Sequence, residues 1–318
     1  MIAAGAYADF LDREYLGSYV AGGGTAVKFV VGPDDGEVGS FRMLLRERAE
    51  TSDYLAVRVD AAETRVHMMD QVFFAVAGQV DWDGLAVHAV RRALAAIAHP
   101  VPGDGTDVSV EAVAAHHGVD PQELTRDVNR QLQRDIYGDF AMVQEFRIAM
   151  LRLCQAHLRT AQVTDAEHTA VLDWLRGELR QISMLRSAMI FRRIGRHNAR
   201  QLLFSLAHWL STNGRSGLVL ELDVRRLGFA RRPRAEEREG LYYTRATLLD
   251  AYELLRQLVD NTDELSHCCV VVLAAPEFVS DQNRGVGAYQ ALKLRIYDEI
   301  RDRNRDNPYS SLVRLGAP

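Results

Sequence analysis

The stretch Ala26-Val27-Lys28-Phe29-Val30-Val31-Gly32-Pro33-Asp34-Asp35-Gly36 decides the fold. Its first six residues are apolar and β-rich apart from Lys28, with Gly22-Gly23-Gly24 before them and a Gly/Pro/Asp turn after them. That pattern predicts a buried strand running into a turn-rich loop. Phe41 to Ala49 sets Met43, Leu44 and Leu45 among arginines and predicts a short helix. Tyr54 to Val59 predicts a second strand, and Val66 to Val80, apolar at helical spacing, a second helix. Strand, loop, helix, strand and helix in succession begin a parallel α/β sheet.

Val101 to Asp107 reads as a linker, and from there to about Leu210 helical spacing dominates. Phe140, Val143, Phe146, Met150, Leu153 and Leu158 form one stripe; Leu202, Leu203, Leu206, Trp209 and Leu210 form another. The sheet resumes with Gly217 to Leu222, and Cys268 to Ala274 is almost wholly apolar, as a central parallel strand is. Between them lie an arginine-rich stretch, Arg225 to Gly240, read as a loop, and an amphipathic helix, Thr247 to Val259. Tyr289 to Arg303 predicts a helix of mixed charge. The expected organisation is a first part of the core at residues 1–100, a helical insertion at 101–212 and a second part of the core at 213–318.

Three features form a constellation: a glycine-bearing loop after the first strand, an apolar strand ending in Asp223, and a further apolar strand after a helix. In P-loop proteins the first cradles phosphate, the second holds the Asp that directs Mg²⁺, and the third carries a polar sensor. The phosphate pattern G-x-x-x-x-G-K-[ST], set on Gly32, runs to Gly39. It finds Val38 at the lysine and Gly39 at the hydroxyl, and no Lys or Arg precedes Ser40. Asp34, Asp35 and Glu37 in the loop would repel a triphosphate, Val224 follows Asp223 where a catalytic glutamate would stand, and Ala274 and Ala275 replace a sensor. None of these positions is read as a core residue, so the fold is expected to survive the losses. By itself a glycine turn of this kind also suits any βα junction.

The chain resembles the P-loop ATP-binding domain family of BREX and related bacterial anti-phage systems. The resemblance rests on an ordered set of segments that covers most of the chain outside roughly residues 100–138. It begins with Val27-Lys28-Phe29-Val30-Val31-Gly32, Phe41-Arg42 with Leu44-Leu45, Tyr54 to Asp60, Glu63-Thr64 and His67. Asp173-Trp174-Leu175-Arg176-Gly177-Glu178, Asn198-Ala199, Gly214 and Gly217 to Asp223 continue it. Leu254 to Asp260, Ala275-Pro276-Glu277-Phe278, Arg284-Gly285-Val286 and Tyr289, Leu292 and Arg295 complete it. The resemblance implies a P-loop NTPase (AAA-like) core with a mainly parallel sheet, and a role in antiviral defence beside helicase, methyltransferase or nuclease partners. It also implies ATP with Mg²⁺ as cofactor, to be held by Gly32, Gly36, Gly39, Ser40, Asp223 and Arg295, although the departures leave no cofactor certain. Arg295 corresponds to a family arginine that would sense nucleotide or reach a neighbouring subunit in an oligomer; beside Asp298 and Glu299 it also reads as a solvated helix residue.

The losses point to a pseudo-ATPase that acts through contacts. Two alternatives stay open: an ATPase completed in trans by a partner, and a DNA-binding adaptor. The adaptor reading rests on Val110 to Leu132, where Gly118-Val119 makes a turn and Asp120-Pro121 starts a second helix. Leu124, Val128 and Leu132 would face inward, leaving Arg126, Arg130 and Arg134 outside, although Asp127 and Asp135 offset them. Arg225, Arg226, Arg231, Arg232, Arg234 and Arg238 form the most basic stretch, open to phosphates or an acidic partner, and more readily read as solvated surface.

Bulk properties exclude little beyond this. With 318 residues, 47% hydrophobic content and a net charge of −5, nothing global demands nucleic acid or an anionic membrane. Three cysteines, two of them adjacent, make no disulfide framework and suit a reducing compartment. The start lacks a basic leader and no apolar run reaches the ~20 residues of a membrane span, so a cytoplasmic protein with no membrane association is expected. His116 and His117 are adjacent and point about 100° apart on a helix, which does not support zinc.

Overall fold

The structure, a computed structural model, describes residues 1–101, 107–229, 240–297 and 307–316. In chain order it begins with α1 (Ala4–Leu11), which runs on as a π-helical segment (Asp12–Val20), then β1 (Thr25–Val31), α2 (Asp35–Thr51) and β2 (Tyr54–Asp60). Next come α3 (Met69–Ala77), α4 (Trp82–Ala96), α5 (Val110–His117), α6 (Pro121–Leu132), α7 (Gln144–His157), α8 (Asp165–Arg176) and α9 (Ala199–Thr212). The last part holds β3 (Gly217–Asp223), α10 (Arg245–Asp260), β4 (Cys268–Ala274), α11 (Glu277–Ser280), α12 (Gln290–Ile296) and β5 (Leu312–Arg314). Two compact units result: Met1–Val76 with Leu210–Pro318, and Ala77–Trp209.

The first unit is built on a five-stranded sheet of order β2-β3-β4-β1-β5. All its pairings are parallel, with Val31 opposite Ala274 and Asp60 opposite Asp223. β1, β3 and β4 are buried along their whole length, which explains their near-continuous apolar sequence. On one face α1 and α2 lay Tyr7, Leu11, Val38, Phe41 and Leu45 over Val30, Val219, Cys269 and Leu273. Burying each such large side chain contributes roughly 1.5–3 kcal/mol. On the other face the Phe29 and Phe278 rings stack at 5.9 Å, and Tyr252 of α10 meets Phe278 edge-on at 5.7 Å. Lys28 is buried within β1; its Nζ donates to the carbonyls of Tyr309 and Ser310 at 2.8 and 3.2 Å and lies 4.3 Å over the Tyr15 ring. It thereby ties the segment leading into β5 to the sheet centre.

The second unit is helical among its described residues. Trp82, Val128, Phe146 and Leu153 are buried, and the Trp82 indole N–H donates to the Ala77 carbonyl at 2.9 Å. Polar groups link three helices inside it: Gln155 donates to Asn129 at 2.8 Å, and Arg152 donates to Gln155 at 3.0 Å and to Glu167 at 2.5 Å. The hairpin expected at Val110 to Leu132 forms as α5 and α6. Gly118 takes the left-handed conformation (φ 67°) that a glycine adopts without strain, and Asp120 accepts from the N–H groups of Gln122 and Glu123, both at 2.9 Å.

Several boundaries differ from the sequence reading. α2 starts at Asp35, not near Phe41, because Asp34 caps it by accepting from the Glu37 N–H. α3 is shorter than Val66 to Val80. Arg225–Gly228 is a 3₁₀ turn, not loop. α12 ends at Ile296, and the rest of the helix expected to Arg303 lies outside the described residues from Asp298 onward. The first compact boundary falls at 76/77, so α4 belongs with the helices although residues 1–100 were read as core.

Candidate functional site

The carboxyl ends of parallel strands are where open α/β sheets bind ligands. Here an open cleft of about 900 Å³ lies at the ends of β1 to β4, with Gly32, Asp60, Asp223 and Ala275 on its wall. Its volume suits a sizeable small molecule. Its charge does not suit a phosphate chain: among the described residues the lining carries Asp34, Asp35, Asp60, Asp223 and Glu277 against Arg225 and Arg226.

A helix N-terminus at this place would offer bare N–H groups to phosphate. α2 has instead supplied its own anions. The Asp34 carboxylate takes the Glu37 N–H at 2.9 Å, and Asp35 and Glu37 occupy the first turn. The acidic loop, hostile to a triphosphate, is therefore favourable to the helix dipole. Only Gly32, Pro33 and Asp34 separate β1 from α2, so there is no long loop to wrap around phosphates. Gly36, Gly39 and Ser40 sit in α2, with Gly36, Gly39 and Ser40 exposed.

Asp223 ends β3 at the cleft, and a cation already holds it. Arg225 donates through Nε to Oδ1 at 2.9 Å and through a terminal nitrogen to Oδ2 at 2.7 Å, a bidentate clasp. The same guanidinium also donates to Asp35, the first residue of α2. Arg58 of β2 approaches Asp223 at 3.2 Å, Asp60 at 2.5 Å and Glu221 at 3.2 Å, and Arg42 of α2 pairs with Glu221 at 2.7 Å. Burial opposes charge on Asp223, but the hydrogen bonds and charge of Arg225 outweigh it and hold the carboxyl below the usual range. Burial prevails at Glu221, whose carboxyl is pushed up despite Arg42 and Arg58. Arg225, Arg58 and Arg42 thus form a chain of guanidinium groups threaded between carboxylates from α2, β2 and β3.

Of the positions where the phosphate and Mg²⁺ patterns expect other residues, Gly39 is exposed, as expected of a residue outside the core, whereas Val38 and Val224 are core residues, against that expectation. Val38, Val224 and Ala274 are all buried, and Val38 packs in the cluster beneath α1 and α2. A Cβ on Gly32 would stand 2.1 Å from Val38 Cγ2, so the glycine serves the close approach of loop and valine. The sequence contains just two lysines, Lys28 and Lys293. Lys28 is committed to the Tyr309 and Ser310 carbonyls, and Lys293 lies on α12 over the Tyr297 ring.

The remaining predicted residues do not gather at the cleft. Arg295 of α12 pairs with Asp260 of α10 and donates to the Ala291 carbonyl at 2.8 Å. Arg226 does line the cleft, donating to the Leu241 carbonyl at 2.8 Å and lying 4.5 Å over the Phe229 ring. Arg231, Arg232 and Arg234 lie outside the described residues. Arg126 and Arg130 are exposed on α6, and Arg130 pairs with Asp127 at 3.0 Å. The sequence reading places Arg225 in the basic stretch, as a contact for phosphates or an acidic partner, and singles out neither Arg58 nor Arg42 as a site residue; the structure sets Arg225 on Asp223 instead. The available signal was a charged residue in the middle of an apolar strand, as at Arg58 and Glu221, which stand opposite each other in the β2–β3 register.

Among the described residues no helix is long and apolar enough to cross a membrane. A family model described as BREX system ATP-binding protein BrxC/D matches residues 11–317. The chain therefore belongs to that family. No curated protein and no solved structure matches it.

Proposed function

We propose that this member of the BREX ATP-binding family is a pseudo-ATPase component of a BREX defence complex, acting through contacts with other proteins of the system. The parallel sheet and the cleft at the ends of its strands support a P-loop NTPase-like core. The observation that carries the pseudo-ATPase reading is the Arg225 bridge between Asp223 and Asp35. Asp223 would have to direct Mg²⁺, and α2 would have to receive phosphate. Each is already satisfied by a group of the chain itself, and among the described residues no lysine lines the cleft. The residues present therefore do not fit Mg²⁺-ATP, and no hydrolytic step is assigned to them.

Calorimetry with Mg²⁺-ATP on the purified chain tests this. The expected outcome is no binding below about 1 mM, a free energy of no more than roughly 4 kcal/mol. Micromolar binding overturns the reading and returns the chain to the ATP-binding class. DNA contact through α6 is a second reading, favoured by the turn geometry at Gly118 and the capped start of α6. A gel shift on duplex DNA at low salt, where phosphate contacts are strongest, tests it; the absence of any shift there removes it.

A further inference from the structure

Inside the helical unit three residues far apart in sequence converge. Asp83 lies in the first turn of α4, His157 ends α7 and His168 lies on α8. His157 Nε2 is 3.0 Å and His168 Nε2 is 2.8 Å from the same oxygen, Asp83 Oδ1. All three ligand atoms lie within 4.8 Å of one another, and the two imidazole rings stand nearly perpendicular at 85°, with centroids 5.8 Å apart.

We propose that Asp83, His157 and His168 form a divalent-metal site of the Zn²⁺ class that staples α4, α7 and α8. The donor set is the argument. Two imidazoles and one carboxylate are common ligands of Zn²⁺ and its first-row neighbours. Atoms bound side by side to one tetrahedral ion at ~2.1 Å stand about 3.4 Å apart, so an ion would replace the two hydrogen bonds once each Nε2 draws back from Asp83 Oδ1 by roughly 0.5 Å. A neutral imidazole carries one N–H, so binding requires each ring to keep its proton on Nδ1 and present the Nε2 lone pair to the ion.

The site's surroundings fit a cation. Its side chains are 25%, 23% and 46% exposed for His157, His168 and Asp83, which leaves water able to complete the coordination. The nearby cation on α7, Arg152, is paired with Glu167 on α8 and donates to Gln155, so its charge is met by an acid of its own. His99, His116 and His117 form a separate histidine group, with ring centroids 5.1 and 4.9 Å apart along the series. Among the described residues only the Asp83, His157 and His168 group brings three such ligand atoms within 4.8 Å of one another, which makes the other histidine group the natural control.

The full-length chain, stripped with a chelator, is titrated with Zn²⁺ by calorimetry and with Co²⁺ by visible absorption. The expected result is one Zn²⁺ per chain with a Kd on the order of 10 µM or tighter, and a rise in Tm on adding Zn²⁺. His168→Gln and Asp83→Asn should each weaken Zn²⁺ by about tenfold or more, whereas His117→Gln should leave it unchanged. Asp83→Asn keeps the shape of the residue, so a folding failure of the histidine variant does not decide the matter. Absence of binding below about 1 mM, unchanged affinity in Asp83→Asn, or an equal loss in His117→Gln overturns the proposal. In the first of these outcomes the trio is a hydrogen-bonded clasp alone.

Discussion

Arg225→Met removes the guanidinium that joins Asp223 to Asp35 while keeping an unbranched side chain. The Asp223 side chain is 3% exposed and its bidentate partner 23% exposed, so the pair is little screened by water. Breaking a buried pair on one side costs about 3–5 kcal/mol, because the surviving charge is stranded. Two features of the site reduce that figure. Arg58 stays 3.2 Å from Asp223 as a second cation, and the Asp35 end of the bridge is 98% exposed, so it contributes little. A loss of about 2–4 kcal/mol follows. At roughly 2–4 °C per kcal/mol for a domain of this size, Tm should fall by about 4–16 °C.

The pH dependence distinguishes this bridge from general loosening. The folded Asp223 carboxyl is held below its ordinary value, so its contribution to stability is present above the unfolded value, about 3.9. That contribution is lost as pH falls through the folded value. Without Arg225 the depression lessens, with Arg58 still lowering the carboxyl, and the gap between wild type and variant should be full at neutral pH and shrink below about pH 4. Thermal melts of both proteins from pH 3 to pH 8, read by circular dichroism, measure it. A Tm at pH 7 within about 1 °C of wild type, or a gap that persists unchanged in acid, refutes the assignment of Arg225 as the cation that holds Asp223.

Restoring the missing motif with Val38→Lys and Gly39→Thr should destabilise the chain by about 2 kcal/mol or more, since Val38 is 1% exposed in the core, and calorimetry should find no gain in Mg²⁺-ATP affinity. Lys28→Met leaves the Tyr309 and Ser310 carbonyls without their ammonium donor. A cost of about 1–3 kcal/mol should appear as faster hydrogen exchange confined to the amides around β5. Asp120→Ala removes the acceptor of two N–H bonds at the start of α6, and chemical denaturation should show a loss of about 1 kcal/mol.

The central strands are legible in the sequence because each is an apolar run between turn residues: β1 and β2 differ from the reading by one residue at one end, and β4 by none. α2 is truncated in that reading because Pro33-Asp34-Asp35-Gly36 has the composition of a loop. The residue that decides otherwise is Asp34, whose carboxylate makes a helix start where composition suggests a turn. α1 and β5 carry weaker signals. β5 has three residues, and its neighbours hold it through the Lys28 contacts and the pairing of Phe29 with Leu312. The α5–α6 hairpin is legible down to its cap because turn, cap and Pro121 are all local. The Asp83, His157 and His168 convergence is not, since the members lie on three helices and no spacing within one segment announces them.

The same distinction between local and convergent information applies to the cleft. Absence of the lysine, the hydroxyl and the glutamate is visible one position at a time, but what replaced them is visible only in three dimensions. A buried acid such as Asp223 left without a counter-charge would cost several kcal/mol. Asp223 instead has Arg225, the α2 N-terminus has Asp34, and Val38, at the position read against the lysine of the phosphate pattern, is a core residue against which Gly32 closes. Each group that a nucleotide would have satisfied has a partner within the chain. Reversal therefore needs concerted changes at the loop, the helix start and β3, because any single restoring substitution breaks a packed or paired contact. That interdependence supports a cleft maintained as a rigid part of the scaffold, with its neighbours in the defence system, not a nucleotide, as the partners to be sought.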